Sequence, residues 1–330
     1  MVWYVNNALG RPQKKKIISR QKAYHGVTVA AASLTGLPNN QRDFDIPIDG
    51  ILYTDCPHYY RYGEAGESEE DFAARCAENL ENLILAEGPE TIAAFFAEPV
   101  MGAGGVLVPP ASYFEKIQPI LKKYDILFVV DEVICGFGRT GNMFGTQTYN
   151  LAPDMITLAK ALSSAYVPIS ALMVSEQIFQ AMVIESEKIG IFGHGFTYGG
   201  HPVACAVALE TLNIYEEWNI VSHVRDMAPT LQDGLRALGE HPLVGEARGV
   251  GLIGALELVR DKSTHESFAA NLGIGAHVAR MAESAGVITR TIGDVIAFAP
   301  PLIIEAKQIT TLLKIVNDAL DETFAMIEDK

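Results

Sequence analysis

The chain has 330 residues, of which 49% are apolar, and a formal net charge of −15 at pH 7. This length and apolar content are enough for a large core, in one large domain with a smaller one or in two domains. The negative charge disfavours nucleic acid and anionic membrane as partners. No apolar run reaches transmembrane length without a charge or a break, and no signal-peptide core is found at the N-terminus. We therefore expect a cytoplasmic protein.

The cysteines exclude two further classes of protein. Cys56, Cys76, Cys135 and Cys205 show neither CxxC nor CxxH spacing. This pattern is typical of reduced, mostly buried thiols, so we expect neither a disulfide framework nor a zinc or other metal site.

The N-terminal stretch MVWYVNNALG predicts a helix that ends near Leu9 and Gly10, with Pro12 just beyond. No N-capping residue precedes it, because the helix begins at residue 1. We therefore expect that sequence is missing upstream.

Short apolar runs alternate with helical patterns through the first two thirds of the chain. Strands are predicted at KKIISR, TIAAFFAEPV, ILFVVDEV, MITLAK and PISALMV, and helices at FEKIQPILKKY and PVACAVALETLNIYEEW. Continuous apolar strands between helices predict an open, mostly parallel α/β sheet that is covered on both faces.

The pattern changes from about Asn219. An amphipathic helix, a glycine-punctuated strand pair, a second helix, a hairpin and a long final helix follow one another. We therefore predict a large domain at residues 1–218 and a smaller C-terminal α+β domain at residues 219–330.

Three polar residues follow apolar runs at the predicted carboxyl ends of strands, where ligands bind in open α/β sheets. They are Glu98, Asp131 and Lys160. Taken alone, Lys160 is either a surface lysine at a strand end or a buried amine that does covalent chemistry. A lysine that forms a Schiff base, with a carboxylate that keeps a pyridine nitrogen protonated, is the pattern of pyridoxal phosphate enzymes.

The sequence around these residues is more specific for one family than the residues alone. VVDEVICGFGRTGNMFG followed by PDMITLAKALSSAYVPISA resembles the class III pyridoxal-phosphate-dependent aminotransferases. AYHGVTVAAASLTG, FAEPVMGAGGVLVPP and GHGFTYGGHPVACAVALETL match the same family in the same order. The resemblance covers essentially the whole chain and is strongest to the omega-transaminase branch, which usually uses pyruvate as amino acceptor. It implies fold type I of the pyridoxal-phosphate-dependent transferases, with a large domain and a smaller C-terminal domain.

The resemblance also implies roles for individual residues. Lys160 would form the Schiff base with pyridoxal 5'-phosphate and move the proton at the substrate α-carbon, which requires a neutral amine. Asp131 would pair with the pyridinium. Val133, two residues further along the strand and so on the same face, would pack against the ring. Tyr24 would line the substrate pocket beside the cofactor, with His25 close by.

Further roles follow from the same resemblance. Glu98 would orient the site; the alternative is an acid that opens a proline-containing turn. Thr197 would bind the cofactor phosphate of a partner subunit, which implies a homodimer or a tetramer. Arg290 would bind the carboxylate of an amino or keto acid, since a guanidinium suits that task; the simpler interpretation is an exposed hairpin arginine. At Ala297, relatives that act on α-amino acids carry an arginine, so its absence favours amines or omega-amino acids as donors.

The chain departs from the family pattern in two ways. Ala161 and Ala165 stand where relatives usually have glycine, and each alanine is strained if its φ is positive. The glycine- and serine-rich loop that holds the cofactor phosphate in the family, together with the stretch before it, is not in this sequence. We therefore expect an N-terminally truncated copy that binds pyridoxal phosphate poorly.

Two alternatives to a pyruvate-dependent aminotransferase stay open. One is a family isomerase, such as an aminomutase or an amino-acid racemase. The other is a truncated, catalytically inactive copy. A nicotinamide-dependent dehydrogenase is disfavoured, because no G-x-G-x-x-G follows the first strand.

Overall fold

The computed structural model describes residues 1–328, which form two compact units. The first unit contains Met1–Pro99, Pro109–Phe137 and Phe144–Glu217. The second contains Val100–Val108, Gly138–Met143 and the chain from Trp218 onward. The two short segments of the second unit fall in the sequence range that the residue pattern assigned to the large domain. No helix within residues 1–328 is both long and apolar enough to cross a membrane.

The first unit is built on a six-stranded sheet with the order β2-β1-β3-β4-β5-β6. All neighbouring strands are parallel except β6, which pairs antiparallel with β5 at the edge. The strands are β1 (Lys16–Arg20), β2 (Ile51–Thr54), β3 (Ile92–Ala97), β4 (Leu127–Asp131), β5 (Met155–Leu158) and β6 (Ala171–Val174).

Helices cover both faces of this sheet, which explains why its central strands are apolar without alternation. Side chains alternate between the faces. Phe95 and Val130 lie in one buried cluster with residues of α5 (Glu69–Glu87) and α6 (Tyr113–Lys123). Ala94 and Val129 lie in another with residues of α1 (Val2–Ala8), α2 (Val29–Leu34) and α8 (Glu176–Ile189).

The remaining helices of the first unit are α3 (Pro38–Gln41), α4 (Tyr59–Tyr62), α7 (Gly145–Thr148) and α9 (Pro202–Glu217). Two of the long helices carry side-chain N-caps. Ser68 accepts a hydrogen bond from the Asp71 amide at the start of α5, and Ser175 accepts one from the Ile178 amide at the start of α8.

The second unit contains a four-stranded antiparallel sheet with the order β7-β8-β10-β9. Its elements are α10 (Ile220–Leu238), β7 (Val244–Val250), β8 (Ile253–Leu258), α11 (Ile274–Ser284), β9 (Arg290–Ile292), β10 (Val295–Phe298) and α12 (Ala306–Glu328). The predicted architecture, a mostly parallel α/β sheet with a separate smaller α+β part, is confirmed.

A buried arginine explains why residues 100–108 belong to the second unit. Arg248 on β7 donates to the carbonyl oxygens of Gly105 and Val106, at 2.7 Å and 3.2 Å. Its guanidinium also pairs with the buried Glu257 carboxylate at 2.6 Å. The cation is therefore compensated, and the loop is held to the sheet by charge-assisted hydrogen bonds.

Candidate active site

The three polar residues that the sequence singled out lie at one edge of the first unit's sheet. β3, β4 and β5 are neighbouring parallel strands, so their carboxyl ends share that edge. Glu98 directly follows β3, Asp131 is the last residue of β4, and Lys160 comes just after β5. Asp131 is paired with Thr157 in the sheet register, three positions before the lysine. Sheet topology therefore brings the two carboxylates and the lysine to adjacent strand ends.

Lys160 begins a short 3₁₀ turn, Lys160–Leu162, with φ of +46°. Positive φ is uncommon for a lysine, and such conformations cluster at functional sites. The side chain is exposed in this chain. Lys160 therefore lies at a strand end, as expected, but the described residues do not bury its amine.

Asp131 is held between two donors. Its Oδ2 lies 2.8 Å from Nδ1 of His25, and its Oδ1 accepts a hydrogen bond from the Val133 amide at 3.0 Å. The His25 and Asp131 side chains are 3% and 10% exposed. The other imidazole nitrogen, Nε2, is buried and has no hydrogen-bond partner within the described residues. The pair thus presents a carboxylate and an unsatisfied ring nitrogen in the same place.

The structure corrects the reasoning about Val133. The sequence analysis placed this residue on the strand, on the same face as Asp131. In the structure β4 ends at Asp131, and Val133 lies in the turn that follows. Its amide hydrogen bond to the Asp131 side chain is that of an Asx-turn, which ends the strand instead of continuing it.

Glu98 connects Tyr24 to the sheet edge. Its Oε1 accepts a hydrogen bond from the Tyr24 amide at 3.1 Å, and its carbonyl oxygen accepts one from the Arg20 guanidinium at 2.6 Å. The His25 amide next along donates to Thr35 Oγ1 at 2.9 Å. These contacts fix the backbone of Tyr24 and His25, the two residues that the sequence placed beside a cofactor.

Burial raises the pKa of the Glu98 carboxyl, and the Asp131 carboxylate adds to that effect. His25 and Arg20 act in the opposite direction. Two carboxyl groups and one imidazole therefore share a poorly hydrated place, which is an arrangement typical of functional sites.

Thr197 lies in a turn of the first unit, within an exposed stretch at residues 184–206 that contains few partly buried positions. Its neighbours Phe196 and Tyr198 are 67% and 73% exposed and stack on each other, with ring planes 10° apart. Large exposed aromatic side chains of this kind are typical of surfaces that bind another molecule.

In the second unit, Arg290 and Ala297 are direct cross-strand partners on β9 and β10. Directly opposed residues of an antiparallel pair lie on the same face of a sheet. Arg290 is exposed and Ala297 is partly buried. The residue directly opposite Arg290 in the sheet therefore has a small side chain and brings no charge of its own.

Two contributors to this site were missed by the sequence analysis. Arg20 ends β1, is fully buried, and lies over the rings of Tyr113 and Phe114 at 5.9 Å and 5.8 Å from their centroids. Glu132 is also buried, and its carboxylate accepts hydrogen bonds from the Gly145 and Thr146 amides. In both cases the available signal in the sequence was a charged residue at the end of an apolar run.

The donor set suits one kind of ligand. An acceptor-only carboxylate beside a buried imidazole can hold a protonated aromatic nitrogen. An amine on the neighbouring strand end can bond to an aldehyde. The residues of the first unit therefore fit a pyridinium aldehyde such as pyridoxal phosphate.

Comparison with known families finds a match over most of the chain. The family described as Aminotransferase class-III matches residues 1–320. Among curated proteins, the mitochondrial gamma aminobutyrate transaminase 1 of Solanum lycopersicum is 54% identical over 329 residues. That alignment covers 100% of this chain and 64% of the relative. The chain therefore spans slightly less than two thirds of the relative's length.

Solved structures give the same result. A transaminase with L-alanine is 56% identical, with a TM-score of 0.97, and the match covers 99% of this chain and 77% of that one. The omega transaminase of Pseudomonas jessenii in complex with PMP is 54% identical, with a TM-score of 0.97. That match covers 99% of this chain and 72% of the other.

Proposed function

Because this chain belongs to the class-III aminotransferase family, we propose that it is a pyridoxal-phosphate-dependent aminotransferase that moves an amino group from an amine or omega-amino acid to a keto acid, with pyruvate as the acceptor. The observation that carries the proposal is the placement of Asp131 and Lys160 at the ends of neighbouring parallel strands. The relatives named above, a gamma aminobutyrate transaminase and a transaminase with L-alanine, support donor and acceptor respectively.

In this proposal the cofactor is held by residues of the first unit. Asp131 pairs with the protonated ring nitrogen, and the His25 imidazole, 2.8 Å from its Oδ2, fixes the orientation of that carboxylate. Val133 packs against the ring, Tyr24 lines the substrate pocket, and Glu98 holds the Tyr24 backbone. Pyridoxal phosphate supplies an electron sink for the bonds at the substrate α-carbon when it is bound.

Lys160 has two tasks in this account. Its amine would hold the cofactor by condensing with the aldehyde carbon, with release of water, and would later carry the proton taken from the substrate α-carbon. The second task requires a neutral amine at that moment. The left-handed backbone conformation at Lys160 sets the direction in which the side chain leaves the main chain, so the turn after β5 helps to position the amine.

Arg290 serves the substrate in this proposal by pairing its guanidinium with the carboxylate of the keto acid. Ala297 opposite to it offers no second cation, which favours amines and omega-amino acids over α-amino acids as donors. A family isomerase would share the cofactor chemistry but would form no alanine from pyruvate.

A homodimer is part of the proposal, with Thr197 contributing to the phosphate site of the partner subunit. The exposed aromatic residues on both sides of Thr197 support a protein surface that is covered in the active assembly. Molecular mass in solution, measured for the chain and for Thr197→Ala, tests the assembly separately from the phosphate contact.

We propose a cytoplasmic location, which the four free cysteines support in so far as they fit a reducing compartment. The gamma aminobutyrate transaminase of Solanum lycopersicum carries a mitochondrial name. Fractionation of the source cells with an antibody to this chain decides between the two compartments.

The reaction is tested by alanine formation from pyruvate with a panel of amine and omega-amino-acid donors, with pyridoxal phosphate supplied. Lys160→Ala removes the proposed amine, and Lys188→Ala is the matched control because Lys188 is an exposed lysine on α8. Donor-dependent alanine from the chain and the control, but not from Lys160→Ala, supports the proposal. Normal turnover by Lys160→Ala contradicts the mechanism.

A further inference from the structure

The backbone that carries Lys160 has a conformation that needs support from elsewhere. Lys160, Ser164 and Ala165 all have positive φ, at 46°, 47° and 61°. The left-handed region is disfavoured for residues with a side chain. Several such residues in one short turn persist only where surrounding contacts hold them.

The hydroxyl of Tyr215, on α9, provides such contacts. It donates a hydrogen bond to the carbonyl oxygen of Ala161 at 2.6 Å. It also lies 3.1 Å from Ser164 Oγ. Because the only hydroxyl proton of tyrosine is used at Ala161, the Ser164 hydroxyl is the donor in this second bond. The hydroxyl oxygen of Tyr215 therefore links Ala161, near the start of the turn, to Ser164, near its end.

The turn's own hydrogen bonds run between the same residues. The carbonyl oxygen of Ala161 also accepts the Ser164 amide at 3.2 Å, and the carbonyl oxygen of Lys160 accepts the Ala165 amide at 3.1 Å. Tyr215 is itself fixed, because its side chain is buried and its ring stacks on Phe137 with 6.1 Å between centroids. The hydroxyl is thus a rigid point against which the turn closes.

We propose that Tyr215 is a positioning residue, whose hydroxyl holds the turn at residues 160–165 in its left-handed conformation and thereby sets where the Lys160 amine stands. The inference rests on the proposed function, in which Lys160 binds the cofactor. In it Tyr215 acts through the backbone of the turn and the hydroxyl of Ser164, and not on the cofactor or the substrate itself.

Three variants separate this role from general packing. Tyr215→Phe keeps the ring and removes the hydroxyl. Ser164→Ala removes only the donor to that hydroxyl. Tyr53→Phe is the matched control, because the Tyr53 hydroxyl also donates to a backbone carbonyl, that of Ser33, and accepts from a side chain, that of Gln41. Tyr53 lies on β2, four strands away from β5, a distance of roughly 19 Å at the usual strand spacing.

The first measurement is amide hydrogen exchange at Ser164 and Ala165. Losing one hydrogen bond that supports the turn is expected to speed exchange about tenfold in Tyr215→Phe. Ser164→Ala is expected to speed exchange less, and Tyr53→Phe not at all. Unchanged exchange in Tyr215→Phe overturns the proposal, since the hydroxyl would then not hold the turn.

The second measurement is the reactivity of the amine itself. Trace acetylation with acetic anhydride over a series of pH values, quantified for each lysine by mass spectrometry, needs no cofactor. In Tyr215→Phe, the acetylation profile of Lys160 is expected to differ from its profile in the wild-type chain, because the amine is no longer held in the same place, whereas the profile of the exposed Lys188 stays fixed. Faster amide exchange with an unchanged Lys160 profile also overturns the proposal, because Tyr215 would then stabilise the turn without positioning the amine.

Neither measurement depends on transamination. If the chain forms no alanine from pyruvate, the proposed function fails, while the amide exchange rates and the Lys160 profile still decide whether Tyr215 sets the position of the amine.

Discussion

Ala165→Gly is expected to stabilise the protein, whereas Ala161→Gly is expected to destabilise it. Ala165 has φ of +61°, in the left-handed region that disfavours a side chain by about 1–2 kcal/mol. Glycine removes that penalty but loses about 0.5–1 kcal/mol through its greater freedom in the unfolded chain. At the midpoints of these two ranges the net gain is about 0.75 kcal/mol, which corresponds to a rise in Tm of about 1.5–3 °C for a unit of this size.

Ala161 is the matched control, because the same substitution there relieves no left-handed strain and only adds the conformational freedom of glycine in the unfolded chain. It lies in the 3₁₀ turn Lys160–Leu162, and its φ is outside the left-handed region. Ala161→Gly should therefore lower the free energy of unfolding by about 0.5–1 kcal/mol. Urea denaturation and thermal melts of both variants measure the difference. Equal effects of the two substitutions, or a loss of stability in Ala165→Gly, would refute the reasoning.

Three further predictions concern other charges. Lys14→Met should cost about 1–3 kcal/mol, because the three N–H donors of the buried Lys14 are shared among the carbonyl oxygens of Pro89, Ile92, Tyr124 and Asp125, and methionine supplies no donor to them. Urea denaturation measures the loss. The exposed-site control Lys15→Met should stay within about 0.5 kcal/mol of wild type, and equal losses would contradict this. Burial raises the pKa of the Glu98 carboxyl, so the folded state favours its protonated form. The free energy of unfolding of wild type should therefore fall relative to that of Glu98→Gln as pH rises from the ordinary carboxyl pKa to the raised one. Urea denaturation over a pH series measures this, and parallel stability curves for the two proteins would contradict it. Arg290→Ala should raise the KM for pyruvate about tenfold or more with a smaller change in kcat, whereas the exposed control Arg280→Ala should not.

The architecture followed from the sequence because buried parallel strands have a strong apolar signature. Phe95 and Ala94 are neighbours in the chain but lie in clusters on opposite faces of the sheet, which is why their strand has no polar face. The family resemblance drawn from the motifs is also confirmed, by the match over residues 1–320.

The strand-end position of Glu98, Asp131 and Lys160 could be predicted because topology alone fixes it. Contacts from distant parts of the chain could not be. His25 reaches Asp131 from 106 positions away, and no local pattern encodes that bond. Arg20 and Glu132 were missed because a charge after a strand looks the same whether it is solvated or buried.

Local backbone conformation set a further limit. Ala161 and Ala165 are equivalent in the sequence pattern, and only the structure separates them, by the sign of φ. Val133 was placed on a strand because the apolar run continues past Asp131, but the Asp131 side chain caps the turn there and ends the strand. Side-chain hydrogen bonds to the backbone compete with secondary structure in a way that apolar pattern does not report.

The proposal that Lys160 holds the cofactor covalently is tested by borohydride reduction of the chain with pyridoxal phosphate, followed by peptide mapping. We expect a single predominant adduct on Lys160, absent in Lys160→Ala and weakened in Asp131→Asn. An adduct spread over exposed lysines such as Lys188, or one that leaves Lys160 unmodified, would contradict it.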